Sequence, residues 1–128
     1  MFAVDGGDVY ISRGDDASFD IVFTSDADTV EDDSGTVYYR VNELPEDGTK
    51  IRFSVKADTG RLKCLITKDL EIFNNFVTIP LESKDTNGLP FGDYVWDIRL
   101  FYPNVDDLDK NTPLLPHSFH VIGVVGNV

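Results

Sequence analysis

Apolar and polar residues alternate with a period of two along most of this chain. The clearest run sets Ile51, Phe53, Val55 and Ala57 on one side against Lys50, Arg52, Ser54 and Lys56 on the other. Successive side chains of a strand point to opposite faces, so this pattern predicts a strand with one buried face. Ala17, Phe19, Ile21 and Phe23 repeat it, with Val22 the one apolar residue on the outer side. Residues 9–11 and 37–41 are further short strands. Leu62, Cys64 and Ile66 continue one apolar face after the break at residues 58–60, and there Cys64 reads as a small buried hydrophobe. Residues 68–73 fit either a strand or a single helical turn. Val77, Ile79 and Leu81 form another inward face, and Pro80 assigns their strand to a sheet edge or a bulge because proline cannot donate to a ladder. Residues 114–123 supply a last strand carrying Phe119 and Val121.

The segment from Lys84 to Leu100 organises the rest. Its first half is turn chemistry, with Asn87-Gly88 expected to supply positive φ and Pro90 fixing its own. Its second half alternates Tyr94, Trp96, Ile98 and Leu100 with Asp97 and Arg99. Trp96 is the single tryptophan of the sequence. A large apolar ring at the centre of an inward face predicts the anchor of the core. Short strands separated by turns, with no long helical period, predict an all-β fold in one domain spanning residues 1–128, an antiparallel β-sandwich. The Gly-rich residues 1–7 are expected to be a loose N-terminal arm.

Composition narrows the function classes. Twenty-three Asp and Glu against 11 Lys and Arg leave a formal net charge of −12 and a pI near 4.3. Such a field repels nucleic acid and anionic membrane, so neither is an expected partner. The lone Cys64 cannot close an intrachain disulfide or complete a thiolate metal site, which excludes a domain stapled by a cysteine pair and fits a reducing cytoplasm. No charged-then-apolar leader opens the sequence, and no apolar run is long enough to cross a bilayer.

Candidate chemistry is sparse. The acidic residues 24–35 lack the ligand order of a calcium loop, so no calcium dependence is expected. His117 and His120, three apart on a strand, point to opposite faces and cannot share a metal. Of Tyr38 and Tyr39, neighbours on a strand, only one can face solvent as a sugar-stacking platform. No phosphate-binding glycine loop or nucleophile elbow is present, so no catalytic, metal-binding or cofactor-binding residue is assigned, the enzyme class is not expected, and binding residues stay unassigned.

Two blocks and a connecting strand resemble a known family. Residues 9–24 (VYISRGDDASFDIVFT) are similar to the opening of the phage baseplate upper-protein N-terminal domain and its Ig-like relatives in prophages of Gram-positive bacteria. Residues 48–56 (GTKIRFSVK) look like their next core strand, and residues 85–100 (DTNGLPFGDYVWDIRL) resemble their most recognisable segment. The resemblance implies an immunoglobulin-like sandwich in which Arg13-Gly14-Asp15 is a turn. It also implies a non-enzymatic virion protein, made in the bacterial cytoplasm, whose partners are other phage structural proteins in a baseplate, neck or fibre attachment. The alternative reading of the residues is a carbohydrate-binding or adhesin-type module. The uncharged, β-branched residues 124–128 either complete the domain's own last strand or dock on a neighbouring subunit, which would make a homo-oligomer.

Overall fold

The computed structural model describes residues 1–24, 36–41, 44–58, 63–101 and 117–123. Among these residues, nine strands and one helical turn follow in the order β1 (Phe2–Asp5), β2 (Asp8–Ser12), β3 (Ala17–Thr24), β4 (Thr36–Arg40), β5 (Thr49–Lys56), β6 (Ile66–Ile72), β7 (Phe76–Leu81), α1 (Ser83–Asn87), β8 (Gly92–Phe101) and β9 (His117–Ile122). They form two sheets. One has six strands in the order β1-β2-β9-β8-β5-β6, and the other has three in the order β4-β3-β7.

The alternation of residue types is what lets the sheets face each other. Ile51, Phe53 and Val55 of β5 are almost fully buried, as are Phe19, Ile21 and Phe23 of β3, while Lys50 and Arg52 lie in solvent. Trp96 has no exposed surface and joins the layers. Its ring meets Phe19 of the smaller sheet edge-on, centroids 5.4 Å apart, and Phe53 of the larger sheet at 5.5 Å. Its indole Nε1–H donates to the Gly7 carbonyl at 2.8 Å, so the polar end of a buried ring is satisfied. The all-β fold is therefore a two-sheet sandwich with its core centred on Trp96. Most strand pairings are antiparallel, but β2–β9 and β3–β4 are parallel, so both sheets are mixed. Parallel neighbours need a long connection rather than a tight turn. The run from β2 to β9 and residues 25–35 between β3 and β4 supply that length.

Other elements depart from the sequence reading. Residues 1–7 are not a loose arm. β1 pairs antiparallel with β2 from Phe2↔Ile11 to Asp5↔Asp8, and Gly6 and Gly7 take φ of 58° and 93° between them. Two successive positive-φ residues match the twist of a hairpin, and glycine adopts them without cost. A Cβ on Gly7 would stand 2.5 Å from the His117 ring, so the close approach also requires glycine.

Cys64 is exposed rather than buried, because β5 ends at Lys56 and β6 starts only at Ile66, leaving Cys64 ahead of the strand. Ala57, beyond the end of β5, is exposed for the same reason. Gly88 has φ −88°, not a positive value, because residues 83–87 wind into α1 instead of a turn. The Asp85 carboxylate accepts the Glu82 N–H at 2.7 Å at the start of that helix. Residues 68–73 resolve as strand: β6 runs to Ile72 and turns through Asn74 and Asn75, whose φ of 55° and 62° make a two-residue hairpin into β7. β7 is an edge strand, as Pro80 requires.

Candidate interaction surface

The outer face of the six-stranded sheet carries the polar residues that the alternation turns away from the core. Register decides which of them meet. On β5 and β8, Arg52 lies opposite Arg99 and Lys50 opposite Phe101; on β6, Asp69 faces Arg52 and Glu71 faces Lys50. The Arg52 Nε–H donates to Asp69 Oδ1 at 2.7 Å and its Nη2–H to Oδ2 at 3.4 Å. That fork holds the guanidinium in one orientation and pushes its pKa further up, chiefly through the hydrogen bond and then the charge of Asp69. The guanidinium carbon also sits 5.6 Å from the Phe101 ring centroid, within cation–π range. Beside Lys50 and Arg52 runs an open groove of about 790 Å³, whose charged lining is those two cations with Asp69 and Glu71 and whose apolar lining includes Leu70, Phe73 and Phe101. Phe73 is half exposed at the tip of the β6–β7 hairpin, beside Phe76 across the turn.

A second row crosses β2, β9 and β8. Tyr10 and His120 are in register and stack at 4.5 Å with 13° between their planes. His120 Nδ1 lies 2.5 Å from Asp93 Oδ1, with Asp93 on β8 in register with it. The row thus clasps three strands, β2, β9 and β8. His117, on the opposite face as alternation dictates, packs against Trp96 and Tyr39. Tyr39 is buried, and burial followed by the Asp97 charge pushes its phenol pKa well above the ordinary value. Tyr38, its neighbour, is half-buried on the other face.

The Arg13-Gly14-Asp15 turn is bound into the fold. Gly14 N–H donates to the buried Thr86 hydroxyl at 2.8 Å, and Asp16 accepts the Ser83 N–H at 2.7 Å, so α1 sits on this turn. The Arg13 guanidinium covers the exposed Phe91 ring at 4.1 Å. Among the described residues no group of three or more His, Cys, Asp or Glu is placed to hold a metal ion, and no helix is long and apolar enough to cross a membrane. The acidic residues 25–35, the carboxylates Asp106, Asp107 and Asp109, and the apolar residues 124–128 lie outside the described residues.

The groove was not foreseen in the sequence. Its only advance signal is the outward Lys50-x-Arg52 of β5; which strand places Arg99 and Phe101 beside them is a matter of register. No family model matches the chain, and neither a curated protein nor a solved structure does.

Proposed function

We propose that this chain is a phage or prophage structural protein, an immunoglobulin-like sandwich that works without catalysis by binding other virion subunits. One observation carries the reading. The three segments that resemble the baseplate-type domain are also those that build the centre of the fold: β2 with β3, β5, and α1 with β8. Phe19, Phe53 and Trp96 come one from each of them and pack ring against ring. A resemblance confined to surface loops would carry far less, because loops vary while core faces specify a fold. The outer sheet face then supplies aromatic and charged groups of the kind that protein interfaces use.

Inducing the prophage of the encoding bacterium, purifying the particles and quantifying this chain by mass spectrometry tests the reading. The expected result is a fixed copy number relative to the other particle proteins. Particles that lack it, or a glycan array with specific hits on the purified chain, would replace this reading with the carbohydrate-binding one.

A further inference from the structure

We infer that the hairpin end of the sandwich, centred on Phe73 and Phe76, is a docking surface for a basic protein, one that offers an apolar hollow bordered by lysine or arginine. The large apolar side chains that the fold leaves in solvent are not scattered. Of the five exposed among the described residues, Met1 and Phe91 lie by the Arg13–Asp16 turn, where the Arg13 guanidinium covers Phe91. The other three, Leu44, Phe73 and Phe76, belong to the β4–β5 connection and the β6–β7 hairpin. Those two segments are tied together. Gly48 N–H donates to the Ile72 carbonyl at 2.7 Å, and Asn74 N–H to the Asp47 carboxylate at 2.8 Å. Register then carries the apolar surface onto the outer face of the smaller sheet, where Phe76 lies beside Val22 and Val22 beside Tyr38. Val22, the one apolar residue on the outer side of β3, is thus the middle of a row across all three strands. A clustered exposed patch marks a contact site, whereas single exposed residues do not.

Charge selects the partner. Glu46 and Asp47 are exposed in the connection that holds the hairpin, and Asp20 stands two residues from Val22 on the outer face of β3. Asp47 gives one oxygen to Asn74, and Asp20 gives one to the Thr78 hydroxyl at 2.7 Å. None of the three forms an ion pair among the described residues. On the groove side, Lys50 and Arg52 are balanced by Asp69 and Glu71, so the excess at this end is negative. A second copy would bring the same carboxylates against it. Nucleic acid and anionic membrane are repelled by the charge of −12, whereas a basic protein is drawn to it. The tip is also held ready for contact. Asn74 and Asn75 sit at φ of 55° and 62°, and Phe23 N–H donates to the Asn75 carbonyl at 2.8 Å, so little ordering is left to be paid on binding. Aromatic anchors inside a polar rim are the energetic centre of many protein interfaces. The inference goes beyond the virion reading, since it assigns a surface and the partner's chemistry whichever assembly the chain serves.

Photo-crosslinking in the encoding bacterium, during growth and after prophage induction, tests the surface. The photoreactive analogue p-benzoylphenylalanine replaces Phe73 of the full chain and, in a control, Phe91. Melting curves matching the parent's confirm that both chains fold. Irradiation should give a discrete adduct from position 73 that position 91 does not give. Mass spectrometry should identify its other half as a protein with more Lys and Arg than Asp and Glu, linked close to a basic side chain. Glu46→Lys reverses an exposed charge beside the tip and should cut the adduct about fivefold at an unchanged melting temperature. No discrete adduct from position 73, the same adduct from both positions, an acidic partner, a second copy as partner, or a yield indifferent to Glu46→Lys would overturn the assignment. The virion reading fails separately. A basic partner that is absent from particles supports this surface and counts against that reading, while a fixed copy number in particles without an adduct at position 73 does the reverse.

Discussion

Trp96 decides more of this structure than any other side chain. It touches rings from both sheets and spends its one hydrogen-bond donor on Gly7 of the first hairpin. Trp96→Ala should cost about 3–5 kcal/mol, from the lost transfer energy and the cavity left behind. Urea unfolding measures it as a lower midpoint at unchanged slope. A second residue ties stability to pH. Tyr39 is buried with its pKa raised above the ordinary tyrosine value of about 10, by burial first and by Asp97 second. The folded state therefore binds that proton more tightly than the unfolded chain does. The stability this contributes is fully present below about pH 10 and is lost as pH rises towards the folded-state pKa. Unfolding free energy should fall above about pH 10 by up to ~1.4 kcal/mol per pH unit from this group. Tyr39→Phe should flatten that alkaline limb, read as the slope of unfolding free energy against pH.

At the scale of elements, exposed strand edges are the hazard of a sandwich, and two of the four described edge strands carry recognisable guards. β7 has Pro80, which withholds one donor. β6 has Lys68, which takes an inward position opposite Phe53 and reaches Asp85 of α1 at 2.8 Å in a mostly covered ion pair. An inward charge on an edge strand disfavours any strand added beside it, since the newcomer would have to cover that charge. Lys68→Val should therefore do two things. It should lower the urea midpoint, because Asp85 loses its partner, and it should raise the mass seen by light scattering at high protein concentration. A monomer at every concentration would show that the edge is protected by something other than Lys68.

The whole molecule is governed by its net charge. Carboxylates outnumber cations by about two to one, and their mutual repulsion works against the compact state. Sodium chloride should accordingly raise the melting temperature as it screens that repulsion. Calcium should raise it no more than magnesium does at matched concentration, because acidic stretches without a ligand order bind both ions as a diffuse atmosphere. Differential scanning fluorimetry across the three salts reads both expectations, and a sharp rise specific to calcium would point to an ordered site.

Period-two alternation made the strands of this protein legible because burial on one face is a local property. Whichever sheet a strand joins, Phe19, Phe53, Ile79 and Trp96 must turn inward together with the apolar residues two places away. Pro80 announced an edge for an equally local reason, a missing donor. Other outcomes depended on partners distant in sequence. Gly6 and Gly7 became a hairpin because β2 offered β1 a ladder and His117 left no room for a side chain. Residues 83–87 became helical while Thr86 was buried against the Arg13–Asp16 turn. Cys64 came to the surface because β6 starts only at Ile66, two residues beyond it. The Arg52–Arg99 pairing belongs to the same class. Alternation alone sent Arg52 and Arg99 to solvent, but 47 positions of sequence separate them, and only the β5–β8 register sets two like charges face to face. Facing is a matter of the chain's own period, whereas pairing is decided by the packing of the whole.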